Sequence, residues 1–67
     1  MKDIFIGQNS SIRDALQKLS FAGEKSLIIL NLDDKKILGT LSDGDIRKAI
    51  LKGKEINDSI IDIYKKD

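Results

Sequence analysis

Apolar residues recur along this chain in two rhythms, and each rhythm predicts its own kind of element. Ile4, Phe5 and Ile6 form a short run closed by Gly7, the length of a strand or an edge segment. A polar break at residues 8–11 follows. Ile12, Ala15, Leu16 and Leu19 then fall at i, i+3, i+4 and i+7, which places them on one face of a helix. Ser11 stands where that helix needs an N-cap, and Asp14 comes three residues later, where an acid faces the free N–H groups of the first turn. Gly23 is the expected stop. Phe21 falls off the stripe and is expected to pack over the helix end.

The rhythm changes at Leu27. Leu27, Ile28, Ile29 and Leu30 are continuously apolar, the pattern of a strand covered on both faces. Asp33, Asp34, Lys35 and Lys36 make a polar turn, and Ile37 to Leu41 resume as a strand, so the pair reads as an antiparallel hairpin. Ser42 to Asp45 open a second helix with Ile46, Ala49 and Ile50 as core positions, and Gly53 ends it after Lys52. Further on, Ile56, Ile60, Ile63 and Tyr64 keep helical spacing. They predict a trailing helix from Asn57 or Asp58 that runs into Lys65, Lys66 and Asp67 without a stop signal. The predicted order is β-α-β-β-α plus this helix.

Length changes what such a layout can do by itself. Sixty-seven residues make one small domain. A chain of this size buries only about 60% of the surface that its unfolded form exposes. Hydrophobic gain and conformational entropy nearly cancel in small scaffolds unless something staples them. The chain has no cysteine and no histidine, so neither a disulfide nor a zinc site supplies the staple. Self-association, or contact with a neighbouring domain, is the expected remedy.

Charge and aromatic content exclude several functions. Twelve basic and eleven acidic residues are interspersed, with no basic stripe to track a phosphodiester backbone. Phe5, Phe21 and Tyr64 are too few for a base-stacking platform, so no nucleic-acid partner is expected. No segment approaches the roughly 18 apolar residues of a membrane span, and the N-terminus does not read as a signal peptide. The absence of cysteine fits a cytoplasmic protein.

Chemistry concentrates in one place, residues 39–47, with the sequence GTLSDGDIR. No phosphate-binding loop of the GxxxxGK[ST] kind occurs, GxGxxG is absent, and histidine and cysteine catalysis is excluded. The stretch spans a strand-to-helix junction, where unpaired N–H groups and a partial positive charge meet anions. Ser42 can donate its hydroxyl to a phosphate oxygen, and ionised Asp45 can accept from a pair of ribose hydroxyls. Gly39 would let a planar base or sugar approach the strand backbone. Arg47 could lean toward phosphate. A blander reading uses the same atoms: Ser42 and Asp45 make a helix cap with an acid in the first turn and need no ligand. Asp43 and Asp45 also have the spacing of a magnesium-binding DxD pair, but a chain this short has no room for donor and acceptor pockets.

The element order and the wording SIRDALQKL, SLIILNLDDKKILGTLSDGDIRKAI resemble a CBS domain over roughly Ile4 to Tyr64. The most specific part is a glycine, two residues, Ser/Thr, two residues and Asp, met here by Gly39, Ser42 and Asp45. The resemblance implies an α+β fold with a small mixed sheet, helices on one face and a trailing helix. It also implies a regulatory module, not an enzyme, that binds an adenosine or guanosine nucleotide of the AMP, ATP or GTP type. Ser42 would meet phosphate and Asp45 ribose; Thr40 and Arg47 join the candidate site by position only.

The wording SDGDIRKAILKG is similar to CBS regions that precede bacterial sugar-phosphate nucleotidyltransferases, and sugar-phosphate isomerases carry similar wording. CBS domains of this family work as tandem pairs with the nucleotide between two repeats. Residues 1–67 hold a single repeat. A second repeat in a longer multidomain protein, or a homodimer mate, is therefore the expected partner.

Overall fold

The computed structural model describes residues 3–66. Its order is β1 (Phe5–Gly7), α1 (Ile12–Ala22), β2 (Ser26–Leu30), β3 (Ile37–Ser42), α2 (Asp43–Leu51) and β4 (Lys65–Lys66). β1 and β2 run parallel, with Ile6 opposite Ile29, because α1 forms the crossover that parallel neighbours require. β2 and β3 form the antiparallel hairpin, and β3 also pairs with β4, giving a mixed sheet in the order β1-β2-β3-β4.

Helix α1 begins and ends where the sequence signals lie. The Ser11 hydroxyl accepts from the Asp14 N–H at 3.0 Å, and the Asp14 carboxylate accepts from the Ser11 N–H at 3.2 Å. Gly23 closes the helix at φ 68°, a left-handed conformation that glycine adopts without steric cost. Ile12, Ala15, Leu19 and Ala22 are buried along one stripe. Phe21 is 95% exposed, contrary to the expectation that it packs over the helix end. It stands off the buried stripe of α1.

The core lies between the two helices and one face of the sheet. Leu27, Ile29 and Leu41 point into it and meet Ile12, Leu19 and Ile46. Side chains alternate across a strand, so Ile28 and Leu30 stand on the other face and are only half-buried. The expectation that β2 is covered on both faces is thus met on one face within this chain. Ile50, expected in the core, is exposed beside buried Ile46 and Ala49, because the apolar stripe of α2 is narrower than its sequence implies.

The trailing helix is replaced by turns and β4; Asp67 lies outside the described residues. Short polar side chains explain the change, since they offer the backbone local bonds that compete with a helix. Asp58 Oδ2 accepts the Glu55 N–H at 2.7 Å, and Ser59 Oγ accepts the Ile61 N–H at 3.1 Å. The backbone of this segment instead seals the start of α1. Asp58 and Ile56 carbonyls accept from Ile12 and Arg13, at 2.9 and 2.7 Å, and the Ile60 N–H donates to the Ser10 carbonyl. Of the four apolar positions, Ile60 is fully buried and Ile63 and Tyr64 are partly buried against the core, whereas Ile56 is exposed.

Candidate functional site

β3 and α2 join without a loop: Ser42 ends the strand and caps the helix. Its hydroxyl accepts the Asp45 N–H at 3.1 Å, and its own N–H donates to Asp45 Oδ2 at 3.0 Å. The Asp43 N–H, another first-turn donor, goes to the Lys25 carbonyl at 2.9 Å. A Cβ at Gly44 would meet only the Ser42 hydroxyl, at 3.8 Å, so the space over the helix start is open.

The electrostatics of Asp45 follow from its neighbours. Burial pushes its carboxyl upward, but the Ser42 N–H, the Ser42 hydroxyl and the charges of Lys65 and Lys48 outweigh that push. The group is held below its ordinary value and stays ionised at neutral pH. An ionised carboxylate is the acceptor-only partner that sugar hydroxyls need.

Of the five candidate residues, the fold brings Ser42 and Asp45 together. Arg47 pairs with Asp43 at 2.7 Å across one helical turn. Thr40 is exposed between Ile28 of β2 and Lys65 of β4. Gly39 is buried, and the space above its Cα is filled by the chain itself: a Cβ there would overlap the Lys65 carbonyl oxygen. Its bare backbone admits β4, whereas the sequence predicts the approach of a base or sugar there.

Two cations near the site went unread in the sequence. Lys48 lies three residues past Asp45, a spacing at which helical side chains are neighbours, and was legible in principle. Lys65 was not, because the local spacing predicts a helix there and only the β3–β4 pairing brings it near. A cleft of about 610 Å³ includes Asp45 and is lined by Lys48, Lys52, Lys54, Asp58 and Asp62. A more apolar hollow of about 760 Å³, lined by Phe5, Phe21, Leu30 and Leu32, lies along β1 and includes none of the five candidates. Among the described residues there is no metal-binding cluster of carboxylates, and no helix is long and apolar enough to cross a membrane.

No protein-family profile matches the chain. An uncharacterized protein of Helicobacter pylori strain J99 is 38% identical over 55 residues, which cover 82% of this chain and 16% of that protein. A second uncharacterized protein, from strain 26695, is 36% identical over the same length and coverage. The chain thus spans a small part of these relatives. Among solved structures, a CBS domain protein from Pyrobaculum aerophilum complexed with AMP superposes with a TM-score of 0.88 at 13% identity, covering 98% of this chain and 51% of that one. A CBS-domain-containing protein from Agrobacterium tumefaciens gives 0.86 at 20% identity, over 96% of this chain and 48% of that one. Another CBS domain gives 0.81 at 27% identity, over 96% and 50%. The chain covers about half of each, and with its mixed sheet backed by two helices it has the fold of a CBS domain.

Proposed function

We propose that this chain is a regulatory module that binds an adenosine or guanosine nucleotide, with Asp45 on the ribose and Ser42 on the phosphate. The observation that carries the reading is the reciprocal pairing of Ser42 and Asp45 beneath an open helix start. A helix N-terminus favours anions, and the ionised Asp45 is suited to a pair of hydroxyls. The Pyrobaculum protein with this fold is complexed with AMP, which supports the same ligand class here.

The site is half of a pocket. The sheet face carrying Phe5, Ile28 and Thr40 is left open or half-open by this chain, and the solved relatives are twice its length. A second repeat, or a second copy of the chain, completes the cleft. Nucleotide binding biases how the two halves pack, by no more than its differential affinity for the two arrangements. The parent is a cytoplasmic multidomain protein, and the SDGDIRKAILKG wording favours a sugar-phosphate nucleotidyltransferase over a sugar-phosphate isomerase as its catalytic part. The Helicobacter relatives have room for one, since 55 residues are only 16% of their length. Sequence past residue 67 tests this attachment directly.

A second reading, a dimerisation module without ligand, is favoured by one fact: Ser42 and Asp45 already satisfy each other as a cap. Calorimetry with AMP, ATP, GTP and a CDP-type ligand separates the two. Saturable binding that vanishes in Ser42→Ala and in Asp45→Ala supports the nucleotide reading. Binding of none of the four, with self-association intact, leaves the dimerisation reading.

A further inference from the structure

The residues that carry the nucleotide reading supply no free cation. Ser42 is neutral, Asp43 and Asp45 are carboxylates, and the Arg47 guanidinium is committed to Asp43 at 2.7 Å. A phosphate on Ser42 would face two negative charges, offset only by the roughly half-unit positive charge of the helix start. β4 brings what is missing. Lys65 lies opposite Thr40 in antiparallel register, and directly opposed residues share a sheet face. Ser42, two residues beyond Thr40, lies on that face as well.

Lys65 forms no ion pair with another described residue, so its exposed ammonium is uncommitted. Its charge already reaches the Asp45 carboxyl. Glycine at position 39 is what allows this approach, since any Cβ there would run into the Lys65 carbonyl oxygen.

We infer that Lys65 is the phosphate-binding cation of the site, held beside Ser42 and Asp45 by a β3–β4 pairing that glycine at position 39 permits. The inference rests on the nucleotide reading above and extends the site from the β3–α2 junction to β4. Lysine binds phosphate as a point charge, without the planar fork that would fix one orientation. Arginine should therefore substitute for it, and an uncharged side chain should not.

The test compares AMP with adenosine, which share base and ribose and differ in the phosphate, by calorimetry on the 67-residue chain. Lys65→Ala should weaken AMP binding roughly tenfold or more, as expected for a charge-assisted hydrogen bond, and leave adenosine binding unchanged. Lys65→Arg should restore AMP, and Gly39→Ala should reproduce the selective loss by displacing β4. Because Lys65 is exposed, circular dichroism of Lys65→Ala should match the parent. Unchanged AMP affinity in Lys65→Ala, or equal losses for AMP and adenosine, overturns the assignment while the nucleotide reading stands. A parent chain that binds neither ligand overturns both.

Discussion

The Ser42 hydroxyl accepts the Asp45 N–H at 3.1 Å while the Ser42 N–H donates to Asp45 Oδ2 at 3.0 Å; Ser11 and Asp14 make the same exchange at 3.0 and 3.2 Å. The chain therefore carries two capping boxes of one geometry, one at the proposed site and one away from it. An N-cap serine contributes about 1 kcal/mol to stability, within a range of about 0.5–2. Ser11→Ala and Ser42→Ala should each lower the unfolding free energy in urea by about that amount. Only Ser42→Ala should also abolish nucleotide binding. Equal loss of binding in both variants would mean that binding merely tracks stability, and Ser42 would lose its assigned role.

Asp45 ties stability to pH with a definite sign. Its carboxyl titrates below the ordinary 3.8 in the folded chain, so the unfolded state binds its proton first as pH falls. The stabilisation it provides is complete above the unfolded value and is lost as pH drops through the folded one. Asp45→Asn removes that dependence but keeps the shape. Urea midpoints measured between about pH 6 and pH 2 should fall less steeply for Asp45→Asn than for the parent. Parallel curves would show that Ser42, Lys65 and Lys48 do not favour the ionised form.

The helix starts were legible because capping is local: Ser11 with Asp14, and Ser42 with Asp45, lie three residues apart and need no knowledge of the fold. The hairpin was legible for the same reason. Residues 54–66 were not. Isoleucine spacing at Ile56, Ile60 and Ile63 fits a helix, but it also fits a turn, and the Ile63 N–H bonds to the Ile60 carbonyl at 3.0 Å as a single turn. What decides between them is nonlocal, the unpaired N–H groups of α1 that this segment satisfies. The site was half legible on the same principle. Ser42 and Asp45 are neighbours in sequence, whereas Lys65 reaches them only through a strand pairing that no local pattern announces.

Gly39 and Gly23 offer a direct comparison of two reasons for glycine. At Gly23 the φ of 68° disfavours a side chain, but nothing lies within 4 Å of a Cβ placed there. At Gly39 the backbone is ordinary strand and the obstacle is the Lys65 carbonyl. Gly23→Ala should cost about 1 kcal/mol uniformly. Gly39→Ala should instead act locally, speeding hydrogen exchange at the Lys66 amide while the β2 amides stay protected. Loss of protection throughout the sheet would show that β4 is integral to the core and does not dock separately.

Ile60 tests whether the non-helical tail belongs to the core. It is fully buried against the main cluster, while its neighbour Ile61 is 40% exposed. Truncating a buried isoleucine to alanine costs about 2–5 kcal/mol through lost transfer energy and the cavity left behind. A domain of this size has only a few kcal/mol to lose, so Ile60→Ala should leave the chain largely unfolded at 25 °C. Ile61→Ala should cost clearly less than Ile60→Ala, because about two-fifths of the Ile61 surface stays in water in the folded chain. Both are read from the urea unfolding curve and the dispersion of the amide spectrum. A well-folded Ile60→Ala would show that residues 53–66 lie against the domain without holding it together, and would remove the anchor that sets β4 and Lys65 beside Asp45.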